Sequence, residues 1–456
     1  LEETLQFSKF FYIKFYIIFI FFLFPGYFFG QDNTTMSLDE CLQMALSNNE
    51  NLKNSLLEEN VSRMTSREYL SVGFPQISFE TGLKYNFEIQ KSLIDISKFM
   101  PGIPEGTEQE VSFGQKYDGI MDLGISQMIF NGSYFVGLAA SKALIELSEK
   151  QSFRAKNDLI ESVKKAYYVV LNTKERLILV NSNLERIKSL LNDTEILYKN
   201  GFVEKLDVDR IKVSYNNLNA EKIKADRLYD LSLSVLKFQI GYPVNDKLSV
   251  KGSIEDVTLS VNDYDIQSFE YSDRIEHSIL NTNKRLKSYD LKNNRSQFLP
   301  QIYANLNYGY NTSSSEYDLF FNSNRWKNYG TVGLQIIVPI FDGFNKRSKI
   351  NRSKIVIQQV ENQIKFLERS IDLQINQNFI ELKNAIQSLN ISKENLVLAN
   401  EVYNVSEKKY KEGVGSNLEV LDSNNSLKTA QTNYYNAYYQ AIISKINLDK
   451  TLGILN

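Results

Sequence analysis

The chain has 456 residues, of which 43% are hydrophobic and 23% are charged, and its formal net charge is −2. This near-neutral balance lacks the basic excess that nucleic-acid binding requires, so we expect no nucleic acid among the partners. A single cysteine excludes a disulfide framework and a thiolate metal cluster, and a single histidine excludes paired-histidine metal sites. After residue 30 no run of about 20 apolar residues occurs, which excludes a helical membrane transporter.

Residues 1–30 have the pattern of a cleaved secretory signal peptide. Lys9 and Lys14 precede an apolar run at 15–24, and Gly30 provides a small residue for cleavage. The alternative is a membrane anchor, for which this run is short.

The rest of the chain contains two similar halves. Phe74-Pro-Gln-Ile77 matches Leu299-Pro-Gln-Ile302, and Tyr198-Lys-Asn-Gly201 matches Tyr410-Lys-Glu-Gly413, 212 positions later. Such internal repetition indicates a duplicated structural unit.

We place the two structural repeats at residues 31–265 and 266–456. Each is predicted to contain a helix, a strand, a loop, a second strand, a very long helix, a tight turn and a helix of medium length. The loop between the strands is longer in the first repeat, where it spans 91–118.

Four segments alternate apolar and polar residues as β-strands do when their two faces meet different surroundings. They begin near Ile77, Met121, Ile302 and Val332, and the last is predicted to reach Ile340. One apolar face over ten or more residues fits strands that cross a bilayer around a wet lumen. A soluble, half-buried sheet would show the same alternation, so the prediction rests on four such strands together behind a signal peptide.

Four strands cannot close a membrane barrel, because the smallest such barrels have eight. Open edges would leave backbone groups in lipid without hydrogen bonds, so the chain must share a barrel with copies of itself. A dimer would supply eight strands, a trimer twelve and a tetramer sixteen. The number of strands per chain does not choose among these three oligomers.

Two very long helices are predicted at 133–200 and 344–412, since no proline interrupts either run. Apolar residues recur there every seven positions, as in coiled-coil packing: Val163, Val170, Leu177, Leu184, Leu191 and Tyr198, then Ile375, Leu382, Leu389, Leu396, Tyr403 and Tyr410. Small residues lie between them, allowing close helix approach: Ala166, Thr173, Thr194, Ala385, Ser392, Ala399 and Ser406. A soluble dimeric coiled coil would also show heptads, but it leaves the strands unexplained.

These segments resemble those of the TolC-like outer membrane efflux protein family over essentially the whole mature chain. The matching segments are the opening helix at 37–49, both Pro-Gln-Ile strand entries, Val338-Pro-Ile-Phe-Asp-Gly343 and Tyr410-Lys-Glu-Gly-Val-Gly-Ser-Asn-Leu-Glu-Val-Leu-Asp422. The last is similar to the family signature Tyr-x-x-Gly followed by Leu-Asp-Val-Leu-Asp/Asn. The order and duplication of these pieces make the resemblance specific.

The resemblance implies a mainly helical fold with membrane β-structure. In it, a homotrimer builds a twelve-stranded outer-membrane β-barrel, four strands per chain, continued by a long periplasmic α-helical barrel. The implied function is a passive exit channel of the bacterial outer membrane that extends into the periplasm. Its implied partners are outer-membrane lipid, a periplasmic adaptor (membrane fusion) protein and an inner-membrane pump of the RND or ABC type, so drug or metal efflux and type I secretion both remain open.

By the same resemblance, the turns at Gly201, Gly413 and Gly415 form the periplasmic tip, where the adaptor docks and the channel closes. Tyr410 matches a tyrosine that helps to tie the closed tip in some members. Gly415 stands where that network has an arginine, so the closing bonds must differ here. Nearby charged residues are candidates to compensate: Lys205, Lys411 and Glu412.

Acidic residues follow both turns. Glu419 and Asp422 are three positions apart and share a helix face, so a threefold assembly would arrange them as carboxylate rings that attract cations. They match the family's acidic aperture ring, and Asp207 matches its counterpart in the first repeat. Alternatively, all three are solvated residues near helix N-termini, where acidic side chains are favourable in any protein.

Two other classes of function compete with a channel. An enzyme would need a phosphate loop, a nucleophile elbow or a metal site, and the sequence shows none of these motifs, so we predict no catalytic residues and no cofactor. A periplasmic adaptor or a structural coiled-coil component of an envelope transport complex would also contain helical hairpins. An adaptor, however, would carry one hairpin flanked by small β-domains and no duplicated strands of membrane length.

Overall fold

The structure, a computed structural model, describes residues 34–261, 264 and 268–455. The predicted signal peptide at 1–30 lies outside these residues. Within the described part, the helices are α1 (Leu38–Asn48), α2 (Glu50–Ser71), α3 (Gly132–Lys199), α4 (Lys205–Ile240), α5 (Ile275–Ser296), α6 (Tyr317–Phe320), α7 (Asn345–Lys411) and α8 (Asn417–Leu452). The strands are β1 (Thr34–Met36), β2 (Gln76–Tyr85), β3 (Lys91–Asp95), β4 (Glu108–Ser112), β5 (Tyr117–Asn131), β6 (Leu248–Val250), β7 (Gln301–Ser314) and β8 (Lys327–Ile337).

Both long helices are present within one residue of their predicted ends. Helix α3 spans Gly132–Lys199 and α7 spans Asn345–Lys411, each without interruption. No helix in the described part of the chain combines the length and hydropathy needed to cross a bilayer.

The chain divides into two compact units, each assembled from separate stretches of sequence. Of the described residues, the first contains 34–49, Leu159–Val261 and Glu381–Ile446. The second contains Glu50–Asp158, 264, 268–380 and 447–455. Each unit takes residues from both predicted repeats, so the repeat boundary at 265 and the spatial division are different partitions of the chain. The boundary itself stays a prediction.

The second unit contains a four-stranded antiparallel sheet in the order β2-β5-β7-β8. Its register places the predicted apolar positions opposite one another, in a row formed by Ile77, Ile125, Leu306 and Val332. The neighbouring row is polar or small and consists of Ser78, Gly124, Asn307 and Thr331. Because side chains alternate between the faces of a sheet, one face is apolar and the other polar.

Two details of the strands differ from the predictions. Strand β8 ends at Ile337 and not at Ile340, because Pro339 has no N–H to donate to a neighbouring strand. The predicted loop at 91–118 contains a hairpin, in which β3 pairs with β4 from Lys91 opposite Ser112 to Asp95 opposite Glu108.

The duplication extends to the hydrogen bonds that end the helices. The N–H of Gly201 donates to the carbonyl of Tyr198 and that of Phe202 donates to the carbonyl of Leu197, which is the Schellman pattern. The same pair of bonds recurs at three other helix ends, and all four motifs have a glycine at positive φ: Gly201, Gly241, Gly413 and Gly453. Glycine is favoured there because a Cβ atom makes this backbone region costly.

In the first unit, α3, α4, α7 and α8 pack around one hydrophobic cluster. Its buried members are Leu184, Ile187, Leu190, Ile211, Leu218, Tyr403, Val420 and Leu427. The heptad residues Leu184 and Tyr403 belong to it, whereas Tyr198, the last heptad residue of the first series, is 44% exposed. The heptad pattern therefore predicted that these helices pack together, but it did not predict at which residue of the helix the packing stops.

Cys41 provides a test of this packing. Its side chain is fully buried in α1, and burial, together with the charge of Glu40, raises the pKa of the thiol to about 11. Because the thiolate is the reactive form, we expect maleimide to label the folded protein at pH 8 at least roughly a hundredfold more slowly than the unfolded protein. Mass spectrometry of timed samples measures both rates. The matched control is Ser47→Cys in a Cys41→Ser background. Position 47 is exposed on the same helix, so its cysteine should be labelled quickly in the folded protein. Equal labelling rates of Cys41 in the folded and unfolded protein would contradict the packing of α1.

Candidate functional site at the helical turns

The two turns of the first unit connect α3 to α4 and α7 to α8. Gly201 has φ 76° and Gly413 has φ 78°, and an added Cβ at either would meet no atom within 4 Å. These two glycines are therefore needed for their backbone conformation and not for space.

Gly415 is needed for the opposite reason. A Cβ atom built there would lie 2.9 Å from the Cβ of Lys409 and 3.0 Å from the backbone nitrogen of Tyr410. The N–H of Gly415 donates to the carbonyl of Lys409 at 3.1 Å, so the turn is held tightly against the end of α7. This close approach leaves no room for an arginine at 415, the residue that the family resemblance implies.

The structure places Asp207 in the first turn of α4 and Glu419 in the first turn of α8, with Asp422 in the second turn of α8. Glu419 and Asp422 are exposed, and Asp207 is half-buried. The Nζ of Lys409 lies 3.5 Å from a carboxylate oxygen of Glu419, and Arg210 lies 3.6 Å from Asp207. Because both of these pairs are solvent-accessible, each contributes at most about 1 kcal/mol.

Two neutral hydrogen bonds join the first hairpin, α3–α4, to the second, α7–α8. The hydroxyls of Tyr410 and Thr194 are 2.8 Å apart, and Thr194 is fully buried. Since the Thr194 hydroxyl donates its only proton to the carbonyl of Leu190, Tyr410 is the donor in the bond to Thr194. The side-chain amide of Asn417 donates to the backbone carbonyl of Asp207 at 3.1 Å.

Sequence reasoning missed two of these contributors. Thr194 entered it only as a small residue between heptad positions, and Asn417 entered it only as part of the segment Tyr410–Asp422, with no role of its own. Among the suggested replacements for the arginine, Lys411 pairs with Glu407 of its own helix at 3.0 Å. Lys409, which carried no prediction, is the lysine that reaches across to α8. Only the packed turn shows which of these neighbouring side chains point at one another.

A cavity of about 600 Å³ lies beside the two turns within the first unit. Its lining includes apolar and charged side chains, among them Arg186, Asp193, Phe202, Tyr403, Glu407 and Tyr410. The Arg186 guanidinium lies 5.5 Å from the centre of the Tyr403 ring, and its Nη2 donates to Asn183 at 2.5 Å. Burial, reinforced by the charge of Glu407, raises the pKa of Tyr403, so this lining residue is a neutral phenol at physiological pH.

The bond between Tyr410 and Thr194 can be tested with a double-mutant cycle. Tyr410→Phe and Thr194→Val each remove one partner of a buried, neutral hydrogen bond, for which we expect a loss of roughly 0.5–1.5 kcal/mol. The double variant should cost less than the sum of the single variants, because the bond is lost only once. The midpoint of thermal unfolding in detergent measures these losses of stability. Tyr215→Phe is the control, because Tyr215 packs on the same hydrophobic cluster. Strict additivity of the two single variants would show that the two hydroxyls do not interact.

Three comparisons with known proteins bear on this fold. A sequence model described as the outer membrane efflux protein family matches residues 41–241 and 277–454. Outer membrane protein TolC of Escherichia coli (strain K12) is 23% identical over 349 residues, which are 73% of this chain and 69% of that protein. The proteases secretion protein PrtF of Dickeya chrysanthemi is 20% identical over 316 residues, 68% of each chain.

The fold is also similar to that of solved outer membrane channels. The crystal structure of the Campylobacter jejuni CmeC outer membrane channel superimposes with a TM-score of 0.73 and 17% identity, covering 91% of this chain and 85% of that one. The family and the fold are those of transport proteins and not of enzymes, as predicted. Because the family match covers most of both repeats, the chain belongs to the outer membrane efflux protein family, and its predicted localisation in the bacterial outer membrane with an extension into the periplasm is confirmed.

Proposed function

We propose that the protein is a passive exit channel that conducts substrates from an inner-membrane pump across the periplasm and the outer membrane. A periplasmic adaptor would join it to a pump of the RND or ABC type in a tripartite efflux or type I secretion complex. The relatives named above include both TolC and a protein named for the secretion of proteases, so both kinds of complex fit the proposal. The pump would supply the energy and choose the substrate.

The observation that carries this proposal is the four-stranded sheet. One face is apolar, and its two outer strands, β2 and β8, each have a free edge in the single chain. Most of their residues are exposed, including Ile77 at 67% and Val332 at 84%. A sheet with an exposed apolar face and unpaired edges is unfavourable in water and in lipid, so it requires further copies.

Three copies would give twelve strands, and edge-to-edge pairing of β2 with β8 would close the barrel with its apolar face towards lipid and its polar face towards the lumen. We further propose that the repeats at 31–265 and 266–456 each supply two of the four strands and one long helical hairpin. The hairpins of three chains would then form the periplasmic helical barrel. A periplasmic adaptor, the main alternative, does not account for the sheet.

The turns would form the periplasmic tip. Gly201, Gly413 and Gly415 shape the two turns on which an adaptor would dock, and the adjacent cavity of about 600 Å³ offers a recess for its side chains. Asp207, Glu419 and Asp422 would line the aperture, where threefold repetition concentrates negative charge. Tyr410 would help to hold the aperture closed through Thr194.

Planar-bilayer recording tests the proposal. Mature protein that has been purified as a folded oligomer should insert and show stable, cation-preferring single-channel conductance, whereas heat-unfolded protein should show none. Chemical cross-linking of the same sample should stop at the trimer. A folded, membrane-inserted oligomer that conducts no ions, even after removal of the turns by limited proteolysis, would contradict the channel, and a dimer or tetramer would contradict the twelve-stranded barrel.

A further inference from the structure

A cluster of basic residues lies where the strands of the second unit meet its helices. Helix α5 ends at Ser296 shortly before β7 begins, and β8 ends at Ile337 shortly before α7 begins. Because the strands are antiparallel, these connections lie at one end of the sheet, and the β3–β4 hairpin and α6 follow from the other end. The basic cluster is therefore at the helical end of the sheet.

The first residues of α7 are unusually basic. Residues 345–354 contain five basic residues and no acidic one. Lys346 is paired with Asp342 at 3.4 Å. The other four make no ion pair with any described carboxylate, and we call them the basic collar: Arg347, Lys349, Arg352 and Lys354.

The collar does not serve the stability of its helix. Positive charges are unfavourable near a helix N-terminus, because the helix dipole is positive there. By the offset of 212 positions, residues 345–354 correspond to 133–142 in the first half, where the single charged residue is Lys142. Since the same strand-to-helix connection is made there with one cation, the fold does not require the whole collar, and its excess charge indicates an anionic ligand.

A polar cleft of about 400 Å³ adjoins the collar between α5 and α7. Arg352 and Lys287 contribute cations to its lining, Asn293 contributes an amide, and Asp290 contributes a carboxylate that lies 3.8 Å from the Nζ of Lys287. The two helices are fixed beside it by a hydrogen bond of 2.9 Å from the amide of Asn294 to the hydroxyl of Ser353. A cleft with cations and amide donors suits a phosphate group, which accepts charge-assisted hydrogen bonds.

Exposed aromatic rings lie close to the collar in the sequence, and one of them lies beside Lys346 in space. Phe298 is 50% exposed, Phe341 76% and Phe344 62%. The Nζ of Lys346 lies 5.4 Å from the centre of the Phe298 ring, so the aromatic and basic groups are contiguous. Aromatic residues beside cations at the end of apolar strands are typical of a membrane–water interface, where a ligand combines an anionic headgroup with apolar chains.

We propose that the basic collar and its cleft bind the headgroups of anionic phospholipids in the membrane leaflet that faces the helices. The phosphate diester occupies the cleft at Arg352, which makes no ion pair with a described carboxylate, and the acyl chains lie against Phe298 and Phe341. This inference rests on the proposed function, because it takes the apolar face of the sheet to lie in the outer membrane.

Native mass spectrometry of the mature oligomer tests the proposal. Detergent-solubilised protein is mixed with equal amounts of phosphatidylglycerol and phosphatidylcholine, and the retained lipids are counted. We expect a preference of about tenfold or more for phosphatidylglycerol, since each basic residue near an anionic lipid adds to its binding. The triple variant Arg347→Gln, Lys349→Gln, Arg352→Gln should lose this preference.

A matched variant controls for the change in net charge. Lys365→Gln, Lys383→Gln and Lys393→Gln remove three exposed lysines farther along α7 and should retain the preference of the wild type. Arg347→Lys with Arg352→Lys keeps the charges and should also retain it. Equal retention of phosphatidylglycerol by the wild type and the collar variant overturns the proposal, as does equal retention of phosphatidylglycerol and phosphatidylcholine by the wild type.

The proposed function is judged separately by bilayer conductance. The collar variant should conduct like the wild type, because its sheet and turns are unchanged. A wild type that conducts but shows no lipid preference overturns only the lipid inference. A wild type that fails to insert and conduct overturns the channel, and with it the membrane position on which the lipid inference depends.

Discussion

Replacing Gly309 with alanine should prevent the sheet of the second unit from forming, whereas the same replacement at Gly333 should be tolerated. A Cβ atom at Gly309 would lie 2.2 Å from the backbone oxygen of Met121 and 3.0 Å from the Cα of Asp122. These are backbone atoms of the central strand β5, so they cannot move aside without breaking its pairing with β7. The expected cost is roughly 3 kcal/mol or more.

A side-chain hydrogen bond gives a second reason for glycine at this position. Gly309 lies opposite Asp122 on one neighbouring strand and opposite Tyr329 on the other. The hydroxyl of Tyr329 donates to the carboxylate of Asp122 at 2.6 Å. The side chain of Tyr329 therefore crosses β7 at Gly309, which has no side chain in its way. An alanine would obstruct this bond as well as the backbone contact.

The yield of folded oligomer in outer-membrane fractions, read from heat-dependent gel mobility, measures the effect. Gly333→Ala is the matched control, because Gly333 lies in β8 of the same sheet and a Cβ there would meet nothing within 4 Å. Comparable yields for the two variants would show that β5 and β7 do not pair in the register described.

Neutralising Glu419 and Asp422 near the start of α8 should change ion permeation more than any other pair of substitutions in the first unit. With Glu419→Gln and Asp422→Asn, block of the channel by a trivalent cation from the periplasmic side should weaken at least about tenfold, and cation preference should fall. The reason is that, in the proposed trimer, three copies of each carboxylate would lie at one constriction, where their fields would add.

The single variants should not be equivalent. Lys409 already lies 3.5 Å from Glu419, whereas Asp422 forms no ion pair with a described cation. We therefore expect Asp422→Asn to have the larger effect on block. The control Asp230→Asn with Glu394→Gln removes the same charge from exposed positions on α4 and α7. Block that is equally strong in the wild type and the Glu419–Asp422 variant would place the cation site elsewhere in the channel.

Much of the architecture could be predicted from local sequence patterns. Period-two alternation from Ile77 onward located the strands, and the absence of proline in the long runs predicted the uninterrupted helices α3 and α7 within a residue of their ends. The repeated glycines, Gly201 and Gly413, located the turns. These features depend on each segment's own backbone preferences and periodicity, which any stretch of sequence carries with it.

The fine structure of the turns was not accessible in this way. The sequence showed Gly415 where an arginine was implied but not why, because the obstruction comes from the backbone at Lys409 and Tyr410. Similarly, it offered Lys411 as a compensating charge, while the lysine that reaches Glu419 is Lys409. Lys409 and Lys411, two positions apart, have the same chemistry, and only the rotation of α7 against α8 distinguishes them.

By itself, then, the sequence determined the order and type of the four long strands and the two very long helices, and it indicated the family. Tertiary structure alone decided which side chains meet: Tyr410 with Thr194, Asn417 with Asp207, and Tyr329 with Asp122 across Gly309. The physical reason is that periodicity and backbone preference are local properties, whereas a hydrogen bond between residues some 200 positions apart depends on register and helix rotation, which are set by packing of the whole unit.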